Sequence, residues 1–269
     1  MNYFEKIIKD LTDSKSKKAG VLYSFLGILL FLAAWEIFVG IIIKTNSFKQ
    51  FTGFLPSKTF IALIHLLTSK YFWDSVVASL IRILLGLFIS SVIGIPAGLI
   101  IGFYRIFRRI TNIPIQFLRM ISPLAWMPIA IVILPGFQEA ILFIIAISCI
   151  WPILLNTSQG VLNIELQWIT MAKNQGAKDY QLLFKVIFPG AMPYILTGLR
   201  FAIGVAWIVL VPAELLGISS GLGYLINDAR DTMEYDKLMA IVVAIGLIGF
   251  TIDEFFQSIQ KRLDWRTKT

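Results

Sequence analysis

The feature that most constrains this chain is a series of long apolar segments, each close to the length that crosses a lipid bilayer. A helix needs about 20 residues to cross roughly 30 Å of hydrocarbon. Backbone N–H and C=O groups inside a bilayer have no water to hydrogen-bond with. Each segment is therefore expected to form a helix, which hydrogen-bonds these groups internally. The predicted spans are 21–43, 75–104, 115–134, 140–161, 191–216 and a sixth that begins at 238.

Composition supports a membrane protein with little room for a soluble domain. Hydrophobic residues make up 57% of the 269-residue chain, and charged residues only 15%. The predicted fold class is therefore an all-α integral membrane protein with six transmembrane helices. Its predicted segments are a polar N-terminal stretch 1–20, a retained first transmembrane helix 21–43, an external linker 44–74 with an amphipathic helix, a core of five transmembrane helices at 75–261, and a tail 262–269.

The charges near the span ends predict the orientation, because Lys and Arg are enriched on the cytosolic side of membrane proteins. With the N terminus inside, most of these residues fall on the cytosolic side, including those at 105–119 and 173–185. The C terminus then also lies inside, and the loop 165–189 between the fourth and fifth spans is cytosolic. The net charge of +8 is explained by topology, and we expect no nucleic-acid partner.

The sequence carries no recognisable catalytic or metal-binding constellation. A single cysteine, Cys149, and a single histidine, His65, exclude a disulfide framework and argue against a multi-histidine metal site. The glycine-rich loop that binds the phosphates of ATP in P-loop proteins does not occur. We therefore expect no catalytic residue, cofactor or metal in this chain. Any ATP with its magnesium would be bound by another subunit.

Two motifs inside the spans admit more than one interpretation. Gly94, Gly98 and Gly102 recur at four-residue spacing, which allows close helix packing either within the chain or between two copies. Pro123 and Pro128 remove helix hydrogen bonds in the third span. They fit either a structural kink or a broken helix that lines a cavity.

The most distinctive polar segment is 170–200, which lies between two apolar spans. Gly176 interrupts it, and Pro189 follows an amphipathic run at 180–188. The apolar residues of that run have the spacing of one helix face, which predicts a stripe that docks a soluble partner or, alternatively, a helix that lies on the lipid surface. The stripe comprises Tyr180, Leu183, Phe184 and Ile187.

The segment resembles the cytosolic "EAA" loop in the permease subunits of binding-protein-dependent ATP-binding cassette (ABC) importers. In that family a Glu-Ala-Ala triplet precedes a glycine, and a Leu-Pro pair ends the loop. Here the triplet is Thr170-Met171-Ala172, the glycine is Gly176 and the proline is Pro189, so a threonine stands where the family has its glutamate. Stretches that look like the nitrate, sulfonate, bicarbonate and taurine branch lie at 123–128, 151–157, 193–200, 213–214 and 220–226.

The resemblance implies a type I ABC importer permease, with both termini in the cytosol. Such a permease works as a homodimer beside two ABC ATPase subunits, which bind ATP and magnesium. It receives its substrate from an extracytoplasmic solute-binding protein. The loop would form a coupling helix that enters a groove on each ATPase. The expected coupling residues are Thr170, Met171, Ala172, Gly176, Ala177, Tyr180, Leu183, Phe184 and Pro189.

The resemblance also implies a small oxyanion as the substrate, with nitrate or bicarbonate favoured over sulfonate or taurine. An anion inside a bilayer needs compensating cations or dipoles, and Arg82 and Arg200 are the basic residues within the predicted spans. Glu214 either belongs to the path or contacts the loop 219–223. The expected translocation path comprises Arg82, Ser122, Trp126, Asn156, Trp207 and Glu214.

Two other functions fit parts of the same sequence. A secondary transporter that works alone would use acid pairs inside the membrane for ion coupling. A membrane receptor or scaffold would use the cytosolic loop only for docking. We favour the permease, which is a multi-pass protein of the cell membrane and not an enzyme.

Overall fold

The computed structural model describes residues 17–46 and 49–263, and every regular element within those ranges is helical. The prediction of an all-α protein is confirmed. The predicted N-terminal segment 1–20 and tail 262–269 lie largely outside the described residues. The α-helices are α1 (Lys17–Asn46), α2 (Pro56–Thr68), α3 (Lys70–Phe103), α4 (Arg105–Met120), α5 (Met127–Ile133), α6 (Phe137–Leu162), α7 (Leu166–Asn174), α8 (Asp179–Leu182), α9 (Phe188–Glu214), α10 (Leu222–Asp231) and α11 (Tyr235–Leu263).

Within residues 17–46 and 49–263, five helical stretches are long and apolar enough to cross a membrane, or up to six when one bent pair is counted as a span. The prediction of a polytopic helical membrane protein is thereby confirmed. The unbroken stretches are Leu22–Lys44, Lys70–Phe103, Phe137–Leu162, Asp179–Glu214 and Tyr235–Gln260.

The bent pair corresponds to the predicted third span, 115–134. Helix α4 and the following segment Pro123–Ile133 meet at 89°. Pro123 cannot donate a backbone hydrogen bond, and a residue before proline is disfavoured in the helical conformation. Ser122 accordingly has φ −56° and ψ 128°. Of the two interpretations of the prolines, the break in the helix at Pro123 is the one observed.

Two other helices begin earlier than the sequence suggests. Helix α3 starts at Lys70, inside the stretch 44–74 that was assigned to an external linker. The predicted fifth span, 191–216, continues backward as one helical stretch that begins at Asp179. A single π-helical turn at Leu183–Ile187 joins α8 to α9. Pro189 lies in the first turn of α9, a position where proline is tolerated.

The chain divides into two compact units. The first combines residues up to Thr68 with Ala229–Ile241, and the second contains Ser69–Asp228 and the chain from Val242 onward. In the first unit the rings of Phe54 and Tyr235 lie 5.2 Å apart between centroids. The second unit holds the coupling and translocation residues proposed from the sequence.

The core of the second unit is the packing of α6 between α3 and α9. Small residues of α3 allow this approach, since a side chain on Gly98 would come within 2.6 Å of Thr157 Cβ and 2.7 Å of the Leu154 carbonyl. Gly94 and Gly102 face Ile153 and Val161 in the same way. The glycine repeat therefore serves packing within the chain rather than between two copies.

Candidate functional site

The predicted coupling segment consists of α7, a tight turn and the start of the stretch that becomes α9. Gly176 ends α7 with φ +81°, a left-handed conformation that costs residues with a Cβ roughly 1–2 kcal/mol. Its N–H donates to the Lys173 carbonyl at 2.9 Å, and the Ala177 N–H donates to the Ala172 carbonyl at 3.1 Å. These two bonds form a Schellman motif, which satisfies carbonyls at a helix end. The sharp change of chain direction therefore requires a residue at 176 that tolerates a positive φ.

The apolar stripe predicted after this turn is split between two environments. Tyr180 and Phe184 are exposed, whereas Ile187 is completely buried. Leu182, which did not belong to the predicted stripe, is also completely buried and joins Ile187 in a core cluster. The π-helical turn at Leu183–Ile187 accounts for the difference, because its wider winding departs from the 3.6-residue period on which the prediction relied.

A groove of about 530 Å³ lies between α7 and the chain around the start of α9. Met171, Ala172 and Pro189, all predicted coupling residues, contribute to its walls. Trp168 and Met171 are 46% and 63% exposed, so the groove offers apolar surface. It is lined by Trp168, Met171, Ala172, Gln175, Lys185, Val186, Pro189 and Gly190.

The other predicted coupling residues occupy different places. Leu183 and Phe184 line a separate apolar pocket of about 280 Å³ beside Pro96 and Leu99 of α3. Thr170, at the position of the family's glutamate, donates its hydroxyl proton to the Leu166 carbonyl at 2.9 Å. A side chain bonded to its own helix in this way supplies no negative charge. Thr170 therefore cannot replace the family's glutamate in any interaction that depends on a negative charge.

Two of the predicted path residues, Arg82 and Glu214, form a buried ion pair. An Arg82 nitrogen lies 2.5 Å from the carboxylate of Glu214, and the two side chains are only 3% and 0% exposed. The Ser79 hydroxyl lies 2.8 and 3.0 Å from the two carboxylate oxygens. The guanidinium also donates to Gln138 Oε1 at 2.9 Å and to Ser220 Oγ at 2.7 Å. Burying two charges is tolerated here because both are paired and hydrogen-bonded.

The same pair holds the loop between α9 and α10. The Gly223 N–H donates to Glu214 Oε2 at 2.9 Å, and the Leu222 N–H donates to Ser79 Oγ at 2.9 Å. Gly221 has φ +109°, and a Cβ there would lie 2.5 Å from the carboxylate. The sequence-based alternative that Glu214 contacts the loop 219–223 is the arrangement observed. A glycine is required because the backbone approaches the ion pair so closely.

Sequence reasoning missed two members of this network. Ser79 precedes Arg82 by three residues on α3, a spacing that places both on one helix face. That spacing was a usable signal once Arg82 had been selected. Gln138 lies on the first turn of α6, far away in sequence, and no local pattern connects it with Arg82.

The remaining predicted path residues lie in separate surroundings. Ser122 is exposed at the break before Pro123, and Trp126 packs partly against the main core cluster. The Asn156 amide donates to the Pro152 carbonyl of its own helix at 2.8 Å. The Trp207 indole lies directly against Gly249 of α11. These contacts suit helix packing as well as a transport path, and they do not gather the four side chains into one cluster.

Arg200, the other basic residue inside a predicted span, also has partners. Its guanidinium lies 3.3 Å from the Asp253 carboxylate, and the two side chains are 29% and 55% exposed. It further contacts Gln260 Oε1 at 3.5 Å, and the Gln260 amide donates to Thr197 at 2.9 Å. This polar group connects α9 to α11.

Comparison with known proteins decides the family. Residues 94–269 match the model of the binding-protein-dependent transport system inner membrane component. The chain belongs to this family. It is a permease subunit of an ABC importer, a multi-pass protein of the cell membrane and not an enzyme. Family membership implies separate ATPase and solute-binding subunits.

Similar proteins cover nearly the whole permease. It is 35% identical to the bicarbonate transport system permease protein CmpB of Synechococcus elongatus, over 92% of this chain and 91% of that protein. It is 33% identical to the nitrate import permease protein NrtB of a Synechocystis strain, over 72% of this chain and 70% of that protein. A chain in inward-facing structures of the MetNI methionine ABC transporter shares the fold, with a TM-score of 0.55 and 19% identity over 69% of this chain and 94% of that chain.

Removing one charge of the buried pair should destabilise the permease strongly. Glu214→Gln leaves the Arg82 guanidinium buried without its counter-charge, which costs about 3–5 kcal/mol in comparable sites. We expect a lower unfolding temperature in detergent and faster amide hydrogen exchange at 215–226. Asp253→Asn is the matched control, because exposed pairs contribute about 1 kcal/mol or less. Equal unfolding temperatures for the two variants would contradict the structural role of the pair.

The left-handed conformation of Gly176 gives a second prediction. Gly176→Val should disrupt the turn after α7, since β-branched residues adopt a positive φ only with strain. Gly176→Asn is the control, because asparagine tolerates this conformation. No neighbouring atom lies within 4 Å of a Cβ at this site, so a clash cannot explain a difference. We expect copurified ATPase to fall severalfold for valine and to stay near the wild-type amount for asparagine. Equal recovery with both variants would show that the turn is not required.

Proposed function

We propose that this permease imports a small oxyanion of the bicarbonate or nitrate type. The observation that carries the proposal is the 35% identity with a bicarbonate transport permease over 92% of the chain, joined by the similarity to a nitrate import permease. Both named substrates are small anions that present three oxygen atoms. A common binding chemistry therefore suffices for either of them.

The groove beside α7 is the proposed docking site for the ATPase. Met171 and Trp168 provide exposed apolar surface, and Lys185 adds a positive charge at the groove wall. An apolar side chain of the partner, flanked by an acidic group, has the chemistry that fits this surface. Gly176 would fix the direction in which α7 presents the groove.

The energy source and the assembly complete the proposal. ATP and magnesium would be bound by the ATPase subunits, because the permease sequence lacks a phosphate-binding loop of the P-loop type. Two permease copies would form a homodimer with the substrate path between them. An extracytoplasmic binding protein would deliver the anion at the opposite end from the α7 groove.

Reconstitution tests the proposed substrate class. The permease, assembled with its ATPase and binding protein in liposomes, should accumulate labelled bicarbonate or nitrate at least tenfold faster than labelled taurine. Uptake should require ATP on the side of the ATPase. Preferred transport of taurine would contradict the substrate class, and uptake without ATP would favour the secondary transporter.

A further inference from the structure

A polar cavity of about 210 Å³ lies between α4 and α6, apart from the buried ion pair and the α7 groove. Along α4 its lining includes Arg108, Asn112, Gln116 and Arg119. Residues spaced by three or four positions share one helix face, so these side chains form one polar face that borders the cavity. Arg108 is partly buried, and Asn112, Gln116 and Arg119 are exposed. The residues Ile106, Ile110, Ile113 and Phe117 of the same helix are exposed. The polar residues of α4 border the cavity beside α6, and these four apolar residues lie on the opposite side of the helix.

The cavity concentrates positive charge that has no counter-charge. Among the residues that the structure describes, neither the Arg108 nor the Arg119 side chain makes an ion pair or donates a hydrogen bond. None of the described residues that line the cavity is Asp or Glu. Two other arginines differ, since Arg82 is paired with Glu214 and Arg200 with Asp253. An unpaired positive charge next to apolar helix surface favours an anion.

Neutral donors and apolar residues, among them Ile115 and Leu154, complete the lining. The Gln116 amide donates one proton to Asn112 Oδ1 at 3.0 Å, which leaves its second N–H and both Asn112 N–H groups available. Ser158 and Gln159 approach from α6. Guanidinium groups present parallel N–H donors that match two oxygens of a planar anion. A water takes about 30 Å³ of the liquid, so about 210 Å³ has space for a three-oxygen anion with several waters.

We propose that this cavity is a binding site for a small trigonal oxyanion, with Arg108 and Arg119 as its charged ligands. The identification of the anion as nitrate or bicarbonate rests on the proposed function. On the predicted orientation, the site lies toward the cytosolic end of the permease. It would hold the substrate during its passage to the cytosol. The phosphate of a net-anionic lipid headgroup shares this chemistry, and the experiment separates the two sources.

The helix offers a control with the same change of charge. Arg105 and Arg109 are exposed on α4 and do not line the cavity. The double variant R108Q/R119Q should reduce kcat/KM for nitrate and bicarbonate uptake at least tenfold, per assembled complex, in phosphatidylcholine vesicles. The double variant R105Q/R109Q should stay within twofold of the wild type. Equal losses in both variants, or unchanged uptake by R108Q/R119Q, would overturn the site.

The lipid source is tested by adding about one-fifth phosphatidylglycerol to the vesicles. An oxyanion site predicts the same tenfold ratio between wild type and R108Q/R119Q in both vesicle types. A lipid site predicts that the ratio is near one in pure phosphatidylcholine and grows with the anionic lipid. That second result would overturn the proposal.

A binding measurement separates this proposal from the proposed function. In detergent, sodium nitrate should raise the unfolding temperature of the permease–ATPase complex, prepared without the binding protein, above that in equal sodium chloride, because a ligand stabilises the state that binds it. The shift should be lost in R108Q/R119Q and kept in R105Q/R109Q. If the wild type transports neither anion but this pattern appears, the proposed substrate is wrong and the site stands. If the shift is equal in all forms, or absent in the wild type, the site is wrong.

Discussion

The ion pair between Arg82 and Glu214 connects segments of the second unit that lie 132 residues apart in the sequence. It joins the early turns of α3, the first turn of α6, the last residue of α9 and the loop that leads to α10. Neither charge can be buried alone in apolar surroundings without a large desolvation cost. The ion pair therefore constrains both the positions of these helices and the close approach of Gly221 to the Glu214 carboxylate. This requirement explains why a glycine and two serines accompany the pair.

The same electrostatic requirement separates four arginines of the permease into two pairs. Arg82 and Arg200 have carboxylate partners and contribute to the connections between helices. Arg108 and Arg119 have no such partner among the described residues, and they line a cavity with neutral donors. A protein that moves an anion needs positive charge that is not already neutralised. Arg108 and Arg119, rather than Arg82 and Arg200, have that property.

The sequence was sufficient to predict the helical membrane fold, because length and apolar composition decide it. It also predicted the turn at Gly176, since a helix followed by glycine is a strong local signal. The π-helical turn at Leu183–Ile187 could not be predicted in this way, because an apolar pattern with a 3.6-residue period does not indicate where an extra residue enters a turn. It separated Ile187 from the exposed Tyr180 and Phe184.

The path residues show a second limit of sequence reasoning. Polar residue type and membrane depth selected Arg82 and Glu214 correctly as unusual, yet their pairing depends on a contact between distant segments. The cavity arginines were assigned to topology, because the Lys and Arg bias explained their positions. Their distinction from Arg105 and Arg109 depends on how α4 is rotated against α6. That rotation follows from three-dimensional packing.

The central claim is that the α7 groove is where the ATPase meets the permease, and site-specific cross-linking tests it most directly. Cys149, the only cysteine of the chain, is completely buried, so a new exposed cysteine can be labelled selectively. Met171→Cys, carrying a photoreactive benzophenone, should cross-link to the ATPase in the assembled importer. The same label at Leu216→Cys, which is exposed at the far end of α9, should not. An ATPase adduct from Leu216→Cys and none from Met171→Cys would contradict the account.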